Sequence, residues 1–130
     1  MTKEKKKKVL LVEDDSAIID IYQTMIKKAN FDVEVISLGQ EVIKKMKELK
    51  GSDQPKPDII LLDLILPDIN GIEVLKEIKS NSFTKDIIVF ILTNQEESQQ
   101  RLGDTKPDKF IIKANITPTQ LIGLIKEQLK

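Results

Sequence analysis

Short apolar runs and amphipathic stretches alternate along this chain from residue 9 to the C-terminus. Val9, Leu10, Leu11 and Val12 are uninterrupted, as in a strand covered on both faces. Ile18, Ile21, Tyr22, Met25, Ile26 and Ala29 recur at helical spacing, with Ser16 placed to cap the helix. Residues 32–36 form a short strand with Val33 and Val35 on one face, and its mixed polarity suits a sheet edge. Val42, Met46 and Leu49 stripe a second helix over residues 40–49. Gly, Ser and Pro mark residues 50–57 as a loop. A third strand is expected over 59–63 and a third helix over 72–78. Residues 87–92 are all apolar and predict the most deeply buried strand. Residues 96–102 predict a short polar helix, and 109–112 a fifth strand. Thr117 caps a last helix, with Pro118 at its first position and Ile122, Ile125 and Leu129 facing the core.

The order is (βα)5. Parallel strands joined by right-handed helical crossovers predict an α/β domain with a doubly wound five-stranded sheet. A chain of 130 residues fits one domain with a real core. No internal linker or repeat is visible. The last helix reaches the C-terminus, so no output domain is expected to follow within the chain.

The strand ends carry the chemistry. Ile59, Ile60, Leu61 and Leu62 are followed by Asp63, and open α/β sheets place ligands outside such carboxyl ends. Glu13, Asp14 and Asp15 follow the first strand in the same way. Adjacent strands would bring three or more carboxylates together, and these repel unless a proton or a cation intervenes. Thr93 ends the fourth strand and Lys113 the fifth. Each residue taken alone has a plainer explanation. Asp63 could cap a turn, Thr93 could be a strand former, and Lys113 a snorkelling surface lysine. Their joint placement argues for a site. Asp15 reads as chemistry of a helix N-terminus, Asp68 as part of a Pro67–Asp68 turn, and Gly71 as a backbone requirement.

Composition narrows the classes. Lys and Arg number 21, balancing 21 Asp and Glu, which argues against direct nucleic-acid binding. The chain has no Cys and no His, which removes disulfides, thiol chemistry, imidazole metal sites and Ser-His triads. No apolar run is long enough to span a bilayer, and no signal-peptide core is evident. A soluble cytoplasmic protein without membrane partners is expected. Lys3, Lys5, Lys6, Lys7 and Lys8 read as a solvated basic tail.

From Val9 onward the chain resembles a response-regulator receiver domain of the chemotaxis-regulator type. The resemblance rests on Val12-Glu13-Asp14-Asp15, on Asp63 with Leu66, Pro67 and Gly71 behind it, on Thr93, and on Lys113. It implies a tail over 1–8, a receiver domain over 9–130, and flavodoxin-like strand order 2-1-3-4-5. It further implies that Asp63 accepts a phosphoryl group from a sensor histidine kinase or a phosphotransfer protein. Mg²⁺, or Mn²⁺ in its place, would be held by Asp14 and Asp63, by the Ile65 carbonyl, and by Glu13 through water. Lys113 would pair with Asp63 and then with a phosphoryl oxygen, and Thr93 would bond another. Phe110, three residues before Lys113, would be the aromatic switch; as an ordinary core residue it reads equally well. Such a domain is a signalling switch rather than an enzyme, acting on a downstream protein. It does no more than label itself and slowly hydrolyse the label. Ile65 and Gln95 stand where receivers flank the attacking water, and neither would activate it, so slow hydrolysis is expected.

Two positions depart from the pattern: Asn94 replaces a small residue after Thr93, and Ala114 replaces a proline after Lys113. The loop after the fifth strand is therefore expected to run differently. Residues 94–108 also look short, with little apolar face on the helix. The alternative is a phosphorylation-independent binding module on the same fold. A dehalogenase-type phosphatase would want a second Asp where Ile65 stands. A flavin or dinucleotide site is disfavoured because acids replace a Gly-rich first turn.

Overall fold

The computed structural model describes residues 6–49 and 55–130. Five strands form one parallel sheet in the order β2-β1-β3-β4-β5. They are β1 (Lys8–Val12), β2 (Asp32–Ile36), β3 (Ile59–Leu62), β4 (Ile88–Thr93) and β5 (Lys109–Ile112). Helices α1 (Ser16–Lys28), α2 (Gly39–Glu48), α3 (Gly71–Ser80) and α4 (Pro118–Gln128) connect and close the sheet. The fold class and strand order are those the sequence implied. The mixed-polarity strand β2 lies at an edge, and the apolar strands β1, β3 and β4 fill the centre.

Alternation along each central strand divides the core in two. Leu10, Val12, Ile60, Leu62, Val89 and Ile91 face α2 and α3, packing with Val42, Met46, Val74, Leu75 and Ile78. Val9, Leu11, Ile59, Leu61, Phe90 and Leu92 face α1 and α4, packing with Tyr22, Ile26, Leu121 and Ile125. A fully buried Leu or Ile contributes about 1.5–3 kcal/mol, so these two layers supply most of the driving force.

Some local expectations change. Asp15, not Ser16, is the N-cap of α1; its Oδ1 accepts from the Ala17 and Ile18 N–H groups at 3.0 and 3.3 Å. A carboxylate reaches the free amides and also complements the helix dipole, so it displaces the hydroxyl. Ile21 is 50% exposed, because it lies at the edge of the stripe centred on Tyr22 and Ile26. The fourth connection is a 3₁₀ segment, Glu96–Leu102, rather than an α-helix. Its apolar face amounts to Leu102, too little to hold a longer helix on the sheet. Thr117 and Gln120 form a complete capping box at α4, with Pro118 at the first position. Of the basic run, Lys3 and Lys5 lie outside the described residues, as do residues 50–54 of the expected loop. No helix among the described residues is long and apolar enough to cross a membrane.

Candidate functional site

The sheet's carboxyl edge gathers the predicted residues. Glu13 follows β1, and its N–H donates to the Ile36 carbonyl of β2 at 3.2 Å. Asp63 follows β3, and its N–H donates to the Val12 carbonyl at 3.1 Å. Both acids therefore sit on backbone still held by the sheet. Glu13 is 2% exposed and Asp63 6%. Thr93 closes β4 opposite Ile112 and is fully buried. Lys113 follows β5 at the start of a short 3₁₀ turn, Lys113–Asn115.

Lys113 joins the acids. Its Nζ donates to Glu13 Oε1 at 2.6 Å and to Asp63 Oδ2 at 2.9 Å. Glu13 Oε2 accepts from the Asp14 and Asp15 N–H groups at 3.1 and 3.3 Å, so both Glu13 oxygens are engaged. Asp63 Oδ1 accepts from the Ile65 N–H at 3.2 Å. Burial raises the Glu13 carboxyl above the usual carboxylate range; the Lys113 bond opposes this and the Asp63 charge adds to it. Burial would lower the Lys113 ammonium, but its bonds to Glu13 and Asp63 outweigh that and raise it. Asp14 is exposed, at the mouth. One carboxylate oxygen each from Glu13, Asp14 and Asp63 lie within 4.8 Å of one another. All-oxygen donors at this spacing suit a hard divalent cation.

The site's floor depends on Gly71. Its N–H donates to the Leu64 carbonyl at 2.8 Å. A Cβ at 71 would collide with the Asp63 carbonyl oxygen and lie 2.6 Å from Leu64 Cα. Close approach, not a positive φ, requires the glycine. Phe110 pairs with Ile91 in the sheet and packs, partly buried, against the α2–α3 side of the core. Ile65 is 52% exposed and lines an open cleft with Gln95.

Two arrangements escaped the sequence. Asp68 does more than turn the chain: its carboxylate caps α2 through the Gly39 and Gln40 N–H groups at 2.8 and 2.9 Å. Those bonds lower its pKa, led by the one from Gln40. Asn94 Oδ1 accepts from the Ala114 N–H at 3.0 Å. Nothing local to either residue signals these partners, which lie far along the chain.

Residues 9–126 match the family model of the response regulator receiver domain. The chain belongs to that family. Over 95% of its length this receiver domain is 30% identical to the alkaline phosphatase synthesis transcriptional regulatory protein PhoP of Bacillus subtilis (strain 168). It spans 49% of PhoP, so the receiver domain is about half the length of such curated relatives. The phosphorylated cyanobacterial phytochrome response regulator RcpA superposes with a TM-score of 0.78 and 32% identity, over 95% of this chain and 91% of that one. The receiver domain of the sensor histidine kinase PA1611 from Pseudomonas aeruginosa PAO1 superposes with a TM-score of 0.81 at 17% identity, a likeness of fold. It covers 95% of this chain and 98% of that one.

Proposed function

We propose that Asp63 is the phosphoacceptor of this receiver domain. The observation that carries the proposal is the buried Asp63 carboxylate, held by Lys113 at 2.9 Å beside two further acids. An Asp63 oxygen attacks phosphorus, an O–P bond forms, and the bond to the donor's imidazole or carboxylate breaks. Such transfer depends on in-line positioning and neutralised oxygens. Lys113 is placed to keep one hand on the acceptor while meeting a phosphoryl oxygen. Thr93 Oγ1 already accepts from the Gln95 N–H at 3.2 Å, which leaves its own O–H to donate to another phosphoryl oxygen. Drawing Thr93 toward the phosphate would vacate space for Phe110 to turn inward.

Asp14 and Asp63 would hold Mg²⁺ directly, with the Ile65 carbonyl. Glu13, with both oxygens engaged, would act through water. When bound, the ion supplies positive charge to the transferring oxygens and relieves carboxylate repulsion. In support, RcpA has been solved phosphorylated, and the PA1611 receiver domain holds magnesium in its active-site cleft. The donor would be a sensor histidine kinase or a phosphotransfer protein, in a cytoplasmic setting, and the readout a changed affinity for a downstream protein.

The test is intact mass after incubation with a small acyl-phosphate donor and Mg²⁺. The native chain gains one phosphate and Asp63→Asn gains none. Equal labelling of both moves the acceptor elsewhere. No labelling of either favours a phosphorylation-independent module.

A further inference from the structure

We propose that Asn94 is a positioning residue that extends the β4–β5 ladder by one side-chain rung and so fixes Thr93 and Lys113 relative to each other. The inference rests on the phosphoacceptor reading. Backbone pairing between β4 and β5 ends at Thr93 and Ile112. The next residue on β4's side is Asn94, and the chain beyond β5 continues through Lys113 to Ala114. Both groups assigned to the phosphoryl oxygens therefore lie at or just past the last rung, beyond which no backbone pairing joins the two strands. There Asn94 Oδ1 accepts from the Ala114 N–H at 3.0 Å. The bond joins the residue directly after Thr93 to the residue directly after Lys113.

The two partners are the two positions that depart from the receiver pattern, and each departure makes the other useful. Proline at 114 would carry no N–H to donate. A small residue at 94 would carry no acceptor. Together Asn94 and Ala114 replace the stiffness of a proline with a hydrogen bond between loops. Further anchors tie down the same loop: the Gln95 N–H bonds Thr93 Oγ1, and Ser98 Oγ donates to Gln95 Oε1 at 2.9 Å. The backbones that carry Thr93 and Lys113 are then tied to each other before any phosphoryl group arrives, while the Thr93 side chain keeps the freedom to turn toward the phosphate, which favours transfer by pre-organisation.

Three variants separate the hydrogen bond from simple bulk. Asn94→Leu keeps the size and removes the acceptor, Asn94→Ala removes both, and Asn94→Asp keeps the acceptor. Amide hydrogen exchange at Ala114, followed by NMR without donor or metal, reads the bond itself. Leu and Ala should speed exchange by about two- to tenfold, the worth of one such bond, while Asp stays near the native rate. The rate of phosphorylation by a small acyl-phosphate donor with Mg²⁺ reads its consequence. Leu and Ala should both slow it several-fold. Native exchange in Asn94→Leu overturns the proposal, because the bond is then absent in solution. Faster exchange with an unchanged phosphorylation rate also overturns it, since the bond would then position nothing. A native chain that takes up no phosphoryl group overturns the acceptor reading and this inference with it. A native chain that is labelled, with Asn94→Leu and Asn94→Ala variants that keep either its Ala114 exchange or its labelling rate, overturns this inference alone.

Discussion

Lys113 Nζ stands 2.6 Å from Glu13 Oε1, a contact spanning 100 residues of sequence and shorter than its 2.9 Å bond to Asp63. One ammonium is thus shared by two buried carboxylates and offsets only one of their charges. Glu13 fixes the lysine from behind, and Asp63 receives it from the front.

Lys113→Met should therefore destabilise the fold. It leaves two acids facing each other without a cation, at about 1–3 kcal/mol for buried polar groups that lose a partner. The denaturant midpoint in chelator checks this at mildly alkaline pH. The loss should shrink on acidification. Glu13 has a raised folded-state pKa, so its contribution is fully present below its unfolded value and is lost as pH rises through the folded one. Removing Lys113 takes away the bond that opposes the rise, so the folded value climbs further and the variant recovers stability sooner as pH falls. A deficit that does not change with pH would contradict this account.

Asp14→Asn should act in the opposite direction. Asp14 is exposed at the mouth, with an oxygen within 4.8 Å of oxygens of Glu13 and Asp63. Relieving that repulsion should raise stability in chelator by about 1 kcal/mol. The same change should weaken binding in a Mg²⁺ titration. A midpoint that falls, or metal binding that stays native, would separate Asp14 from the acid cluster.

Gly71→Ala tests the floor of the site. The added methyl meets backbone, the Asp63 carbonyl and Leu64 Cα, rather than a side chain that could swing away. Overpacking of this kind costs about 1–3 kcal/mol. Because the displaced atoms belong to Asp63, labelling should slow as well as stability fall. Native stability and native labelling together would show that the approach is looser than the structure has it.

Ile65→Asn should shorten the lifetime of the phosphorylated chain. Ile65, two residues past Asp63, lines an open cleft with Gln95, and neither supplies a base to activate water. The native aspartyl phosphate is expected to last minutes or longer after donor removal, and the variant to decay several-fold faster. Decay of the native form within seconds, or equal decay of both, would remove Ile65 from control of hydrolysis.

Much of this was legible in the chain because parallel sheets write themselves in continuous apolar runs. Residues 59–62 and 88–92 suit strands covered on both faces, and a polar residue at the end of such a strand emerges at the carboxyl edge. Asp63, Glu13, Thr93 and Lys113 were therefore readable as a set, as was the Pro118 start of α4. Residues 96–102 were expected to form a short polar helix and instead form a 3₁₀ segment, because their sparse apolar face gives little to pack against the sheet. What the sequence could not determine were contacts whose energy depends on distance in space. Hydrophobic periodicity fixes which face a residue takes, but a hydrogen bond needs two groups within about 3 Å. Only the folded sheet brings Asp68 to the start of α2, turns both Glu13 oxygens inward, and sets Asn94 against the Ala114 amide. The choice of Asp15 over Ser16 as a cap is the same kind of decision, taken by the geometry of one turn.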